Sequence, residues 1–280
     1  MFTTIISAKA LQASITQPDW VILDCRFNLM DTAAGRTAYA EGHIPGAFYL
    51  HLDEDLSSGI TPETGRHPLP DANELAEKLG RCGITQSTQV VVYDDCSGMM
   101  AGRCWWLLRY LGHDAVALLD GGLQAWQRAG GKLDQKLPIE ANLSFPPSLQ
   151  RDANLVVDQL QEERMGGSAI LVDARAAERF RGEVEPIDPI AGHVPEALNR
   201  PLTDNLADGY FKAPEQLKSE WAALLGDQPA EQVVHMCGSG VTACHNQLSM
   251  EIAGLTGSRL YSGSWSEWIR DPKRPVAKGE

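Results

Sequence analysis

Short apolar runs alternate with amphipathic stretches along this chain. Trp20–Asp24, Gln89–Tyr93, Ala115–Leu119 and Ala169–Asp173 consist mostly of Val, Ile, Leu and Ala. They have the length and composition of strands buried on both faces. Val233 and Val234 end a similar run after a polar turn. Between the runs, Ser7–Gln12 predicts a short helix starting near Ser7, and Asp71–Gly80 an amphipathic helix with Leu75 and Leu79 on one face. Ala101–Leu111 predicts another helix, and Asp120-Gly-Gly122 turns into one running through Trp126 to Ala129. A variable loop is expected after Cys25-Arg26, then an extended piece over Phe48–Leu52. Asp53–Pro70, polar and rich in Gly and Pro, reads as a loop. Strands alternating with helices predict the α/β class, with a mostly parallel sheet flanked by helices.

The pattern occurs twice. Val91–Trp126 maps onto Val233–Trp268 at a constant spacing of 142 residues, with Gly121 on Gly263 and Trp126 on Trp268. Ala169-Ile-Leu-Val-Asp-Ala-Arg175 matches Val21-Ile-Leu-Asp-Cys-Arg26, and Ala191-Gly-His-Val-Pro-Glu-Ala197 matches Glu41-Gly-His-Ile-Pro-Gly-Ala47. The chain therefore divides into two similar α/β domains, 1–135 and 153–280. The stretch 136–152, with three prolines between Lys136 and Arg151, is the linker. Asp24/Arg26 and Asp173/Arg175 recur in both halves, as do His43 and His193, which favours structural roles.

Cys237-Gly-Ser-Gly-Val-Thr242 is where the repeat becomes unequal. A Cys at a strand end, followed by two glycines and a helix, faces backbone N–H groups and the positive end of a helix dipole. Both favour a thiolate, and the same N–H groups suit an anion. Gly238 and Gly240 are expected to free the backbone, Thr242 to cap the helix, and Gly254 to close it. Cys237 is thus the candidate nucleophile. Asp95 holds its place in the first half and cannot do thiol chemistry, so the first domain is expected to be inactive.

Composition narrows the partners. Net charge is −13 with no basic run, which argues against nucleic acid and anionic membrane surfaces. The N-terminal residues do not form a convincing signal peptide, and no stretch is long and apolar enough to span a membrane. The six Cys lack zinc-type pairs and are too sparse for a disulfide scaffold, so free thiols in a cytoplasmic setting are expected. Cys244 lies about two helical turns after Cys237, too far for an easy disulfide. Trp105, Trp106, Trp265 and Trp268 are read as core or cleft wall. No phosphate fingerprint or metal cluster is evident, so no cofactor and no metal are expected.

Two such domains, D-x-R after the first strand, G-H-[IV]-P-x-A, and the strand–Cys–loop–helix resemble the tandem-domain rhodanese sulfurtransferases over essentially the whole chain. The loop Cys237–Thr242 looks like that of the 3-mercaptopyruvate branch, and Tyr261-Ser-Gly-Ser-Trp-Ser-Glu-Trp268 is similar to the family's C-terminal signature. The resemblance implies a persulfide on Cys237, loaded by a small anionic sulfur donor and emptied by a thiol such as thioredoxin, a low-molecular-weight thiol, or cyanide. It implies that Arg179 binds the donor beside the loop residues Gly238, Gly240, Val241 and Thr242. It also implies a relay of Ser239 with His67 and Asp53, the last two from the N-terminal domain. One departure stands out: where the 3-mercaptopyruvate branch often carries a second Arg, this chain has Ile187, with Arg181 as a candidate replacement.

Two donors stay open, 3-mercaptopyruvate with release of pyruvate and thiosulfate with release of sulfite. A Cys-dependent phosphatase or arsenate reductase would need an Arg at the sixth position after Cys237, which here is Ala243. A non-enzymatic binding module is opposed by the intact Cys237 loop.

Overall fold

A computed structural model of the chain describes residues 1–279. The chain divides into two compact units, residues 1–58 with 69–150, and residues 59–68 with 151–280. The first unit holds strands β1 (Ile5–Ile6), β2 (Trp20–Asp24), β3 (Phe48–Tyr49), β4 (Gln89–Tyr93) and β5 (Val116–Leu119), and helices α1 (Ala8–Ser14), α2 (Ala34–Glu41), α3 (Ala72–Arg81), α4 (Ala101–Tyr110) and α5 (Gly122–Arg128). Its sheet runs in the order β1-β5-β4-β2-β3, every pair parallel.

The second unit repeats the plan. Its strands are β6 (Asn154–Leu155), β7 (Ile170–Asp173), β8 (Leu198–Asn199), a short antiparallel pair β9 (Leu206–Ala207) and β10 (Tyr210–Phe211), then β11 (Val233–Met236) and β12 (Arg259–Tyr261). Its helices are α6 (Val157–Met165), α7 (Ala177–Phe180), α8 (Pro214–Leu225), α9 (Ala243–Ile252) and α10 (Ser264–Trp268). The five-stranded parallel sheet has the order β6-β12-β11-β7-β8, with β11 at its centre. Helices α4 and α9 start 142 residues apart, the offset read from the sequence.

Strand periodicity explains the core. Val234 and Met236 of β11 join Leu171, Tyr261, Trp265 and Trp268 on one face of the sheet. Val233 of β11 and Val172 of β7 join Leu217, Trp221 and Met250 on the other. Alternate residues thus bury opposite faces, and the strands read as continuous apolar runs. Trp105, Trp106, Trp265 and Trp268 are all buried.

The recurrent pairs are structural. Arg26 donates to Asp24 (2.6 Å) and to the Gly42 carbonyl (2.8 Å); Arg175 donates to Asp173 (2.7 Å) and to the Gly192 carbonyl (2.8 Å). Each pair ties a strand end to the G-H-[IV]-P turn. His43 stacks on Tyr39 and His193 on Phe180, each bonding the main-chain carbonyl of its stacking partner through Nδ1.

Three local features differ from expectation. Helix α2 occupies part of the expected variable loop. It buries Tyr39, whose hydroxyl donates to the Ala47 carbonyl (2.7 Å), and it lacks a side-chain cap, so tertiary burial rather than local propensity forms it. The extended piece after it is paired only over Phe48–Tyr49. The stretch expected as linker follows the first unit: Ala141 N–H donates to the Arg81 carbonyl, and Ser148 and Gln150 to those of Leu111 and Tyr110. Among the described residues no helix is long and apolar enough to cross a membrane.

Candidate active site

Cys237 follows the last residue of β11, at the carboxyl end of the central strand, where open parallel sheets bind ligands. Its backbone is held from the C-terminal signature. Cys237 N–H donates to Ser264 Oγ (3.1 Å), while Trp265 N–H donates to the Cys237 carbonyl (3.0 Å) and Ser266 N–H to that of Gly238 (2.9 Å). Ser264 takes a left-handed φ of 54° to make this clamp. The Tyr261–Trp268 motif therefore has a physical job, which is fixing the Cys loop. The Gly240 N–H donates to Cys237 Sγ (3.2 Å), which seats the sulfur against the loop.

The two loop glycines serve different needs. Gly240 has φ of 76° and lies against the Ser262 carbonyl, where a Cβ would come within 2.2 Å. Gly238 has no such φ; a Cβ there would meet Arg66 Nη2 at 2.9 Å and Arg179 Nη2 at 3.7 Å. Its freedom is room for two guanidinium groups, not an unusual backbone. Thr242 stands at the N-cap of α9 but makes no capping bond, because its backbone is already helical there. Gly254 closes α9 as expected, with φ of 75° and Leu255 N–H donating back to the Met250 carbonyl (2.9 Å). Val241 and Thr242 lie on the loop between Cys237 and α9, next to Gly240.

Ser239 and His67 meet: Ser239 Oγ and His67 Nδ1 are 2.7 Å apart and both residues are buried. Although His67 precedes the first domain's third helix in sequence, residues 59–68 pack as part of the second unit. Arg66 N–H donates to Ser266 Oγ (3.0 Å), Arg270 Nε donates to the Thr64 carbonyl (3.1 Å), and Gly65 sits where a Cβ would come within 2.5 Å of the Gly263 carbonyl. Asp53 belongs to the first unit, where its N–H donates to His51 Nδ1 (3.1 Å) and burial pushes its carboxyl above the ordinary range.

Arg179, on α7, is gripped by acids. Its Nη2 donates to Glu185 (2.7 Å) and to Asp188 (3.4 Å), and its Nε to Glu185 (3.2 Å). Glu185 also accepts the N–H groups of Ile187 and Asp188. Burial works against its ionisation, but the Arg179 bonds and these N–H groups outweigh it and hold its carboxyl low. Burial instead holds Asp188 above the ordinary range, with Glu185 adding to it, against Arg66 and Arg179. Sequence reasoning missed Arg66, which pairs with Asp188 through Nη1. Arg181, the candidate replacement for the arginine absent at Ile187, pairs with its near neighbour Glu183 (2.7 Å) on a part-exposed surface.

The first unit fills the same loop differently. Asp94 accepts the N–H groups of Cys96 (3.0 Å), Gly98 (2.8 Å), Met100 (2.8 Å) and Ala101 (2.9 Å). That anion cradle already holds a carboxylate of its own chain. Burial, with Asp94 and Asp95 nearby, pushes the Cys96 thiol far up. Burial takes Cys82 up to about 12, and a hydrogen bond with Cys104 together with burial raises Cys25. These three thiols are thus held protonated and poorly nucleophilic.

Known proteins carry the same design. The Rhodanese-like domain family matches residues 7–129 and 156–271. The chain is 50% identical to a probable 3-mercaptopyruvate sulfurtransferase of Pseudomonas aeruginosa, over 99% of this chain and 98% of that one. It is 40% identical to a putative thiosulfate sulfurtransferase of Mycobacterium tuberculosis, over 98% of this chain and 97% of that one. The solved 3-mercaptopyruvate sulfotransferase SseA of Escherichia coli superposes with a TM-score of 0.80 at 30% identity, covering 95% of this chain and all (100%) of that one. The chain belongs to the rhodanese family, as a tandem-domain sulfurtransferase acting on a sulfur donor and an acceptor.

Proposed function

We propose that this protein moves sulfane sulfur from 3-mercaptopyruvate to a thiol or cyanide through a persulfide on Cys237. The Cys237 thiolate attacks the donor sulfur; the carbon–sulfur bond breaks, and its electron pair leaves on the enolate of pyruvate. Protonation of that carbon gives pyruvate. An acceptor such as thioredoxin, a low-molecular-weight thiol or cyanide then takes the outer sulfur and frees Cys237 as a thiolate, completing a two-step covalent cycle. Gly238, Gly240, Val241 and Thr242 line the anion, and Arg179, whose guanidinium borders Gly238, binds the donor carboxylate.

The observation that carries the donor choice is the bond between Ser239 and His67, 2.7 Å long and one residue from Gly238. An enolate leaving group needs a proton, and this pair supplies a buried path for one. Sulfite leaves thiosulfate without needing one. Asp53 is the proposed third member of the relay. The thiosulfate reading draws on Ile187, which leaves the usual second arginine position empty. The domain limits 1–135 and 153–280 with an inactive first domain belong to this reading. So does a cytoplasmic setting, supported by six free cysteines.

The test is kcat/KM for both donors with one thiol acceptor. A preference of about 100-fold or more for 3-mercaptopyruvate, about 2.7 kcal/mol in transition-state binding, is expected. A preference for thiosulfate overturns the donor, and turnover by a Cys237→Ser variant overturns the mechanism.

A further inference from the structure

The arginine that position 187 lacks has a spatial replacement. Arg66 comes from the segment 59–68, which packs with the second unit, and reaches the Cys loop from the side opposite in sequence to Arg179. Arg66 Nη2 and Arg179 Nη2 both border the space a Gly238 side chain would fill, next to Cys237. The Asp188 carboxylate bridges them, one oxygen on Arg66 Nη1 and the other on Arg179 Nη2. Arg66 Nε is buried and has no hydrogen-bond partner. A buried guanidinium N–H left unpaired is costly and calls for a functional or structural reason.

We propose that Arg66 is the second guanidinium of the donor grip, and that Asp188 is a resident carboxylate which the donor's carboxylate displaces from the Arg66–Arg179 pair. The proposal deepens the reading of the donor as an anionic keto acid and rests on it. Arg66 offers Nε and Nη2 in the planar fork that a carboxylate accepts bidentately. Asp188 keeps two like charges together while the site is empty. The donor carboxylate takes the place of Asp188 against two positive guanidinium groups, which meet its charge. Arg181 has no part in it, being engaged with Glu183.

Alkylation of Cys237 by iodoacetate and by iodoacetamide, followed at the Cys237 peptide by mass spectrometry, reads the grip without any sulfur donor. Both reagents meet the same thiol, and only iodoacetate carries a carboxylate. Arg66→Gln is expected to lower the iodoacetate-to-iodoacetamide rate ratio about 10-fold and to raise KM for 3-mercaptopyruvate about as much, with kcat within about 3-fold. Adding Ile187→Arg to Arg66→Gln is expected to restore most of the ratio, and Asp188→Asn alone to raise it. An unchanged ratio and KM in Arg66→Gln overturns the proposal. So does an equal loss with both reagents that Ile187→Arg does not restore, which would mark Arg66 as a purely structural arginine. Wild-type protein that ignores 3-mercaptopyruvate would remove the donor reading, while the ratio would still decide Arg66.

Discussion

Ser239 and His67 meet as one hydrogen-bonded pair. The hydroxyl is aligned by the imidazole at 2.7 Å, and the pair is buried from competing water. With the proposed enolate leaving group, Ser239→Ala and His67→Gln should each lower kcat for 3-mercaptopyruvate about 100-fold, and the double variant should cost little more than either single one. Thiosulfate turnover should fall far less. Additive losses in the double variant would show that the two residues do not share one proton path. At this scale the sequence exposed Cys237 and its glycines, because a Cys at a strand end before two glycines is a local pattern. The roles of the glycines were not equally readable: Gly238 makes room for Arg66, a residue far away in the chain. Arg66 itself was hidden for that reason, since no short-range spacing links positions 66, 188 and 238.

The two equivalent loops fill the same place in the fold with different groups. Both lie after a central parallel strand and before a helix, at the offset of 142 residues. In the first unit the Asp94 carboxylate takes four N–H groups at 2.8–3.0 Å, so restoring a thiol alone does not restore an anion cradle. An Asp95→Cys change in a Cys237→Ser background is expected to give no sulfur transfer, and its new thiol to react with iodoacetamide at least about 10-fold more slowly than Cys237, because a neighbouring carboxylate opposes the thiolate. Sulfur transfer by that variant would mean that Asp94 does not close the loop. The strands and most helices were legible as elements because buried parallel strands read as plain apolar runs and the repeat supplied each twice. Helix α2 was not, since what buries it is Tyr39 and the close approach of Gly35 to the Arg26 carbonyl, and neither leaves a periodic trace.

Across the whole molecule, two histidines that folding keeps from charging contribute to acid sensitivity. His235 on β11 is fully buried against Trp221, its Nε2 at 3.1 Å from Ser258 Oγ, and burial pushes its pKa down to about 3. Burial lowers His113 as well. In the unfolded chain both regain an ordinary value near 6.5. Between about 3 and 6.5 the unfolded state therefore binds more protons, and stability falls as pH drops through that window, by up to about 1.4 kcal/mol per pH unit for a group like His235. Carboxyls that burial holds high, Asp53, Asp95, Asp188 and Glu267, act in the opposite sense, because there the folded state binds the extra proton. The raw slope mixes the two, so the variant isolates the histidine. His235→Gln keeps a polar atom near Ser258 but cannot take up a proton. It should start less stable than wild type at pH 7.5 and lose less stability on going to pH 5, by about 1–2 kcal/mol in urea denaturation. Parallel losses in the two proteins would mean that His235 is not what couples folding to protons, and that acid sensitivity in this window comes from other groups.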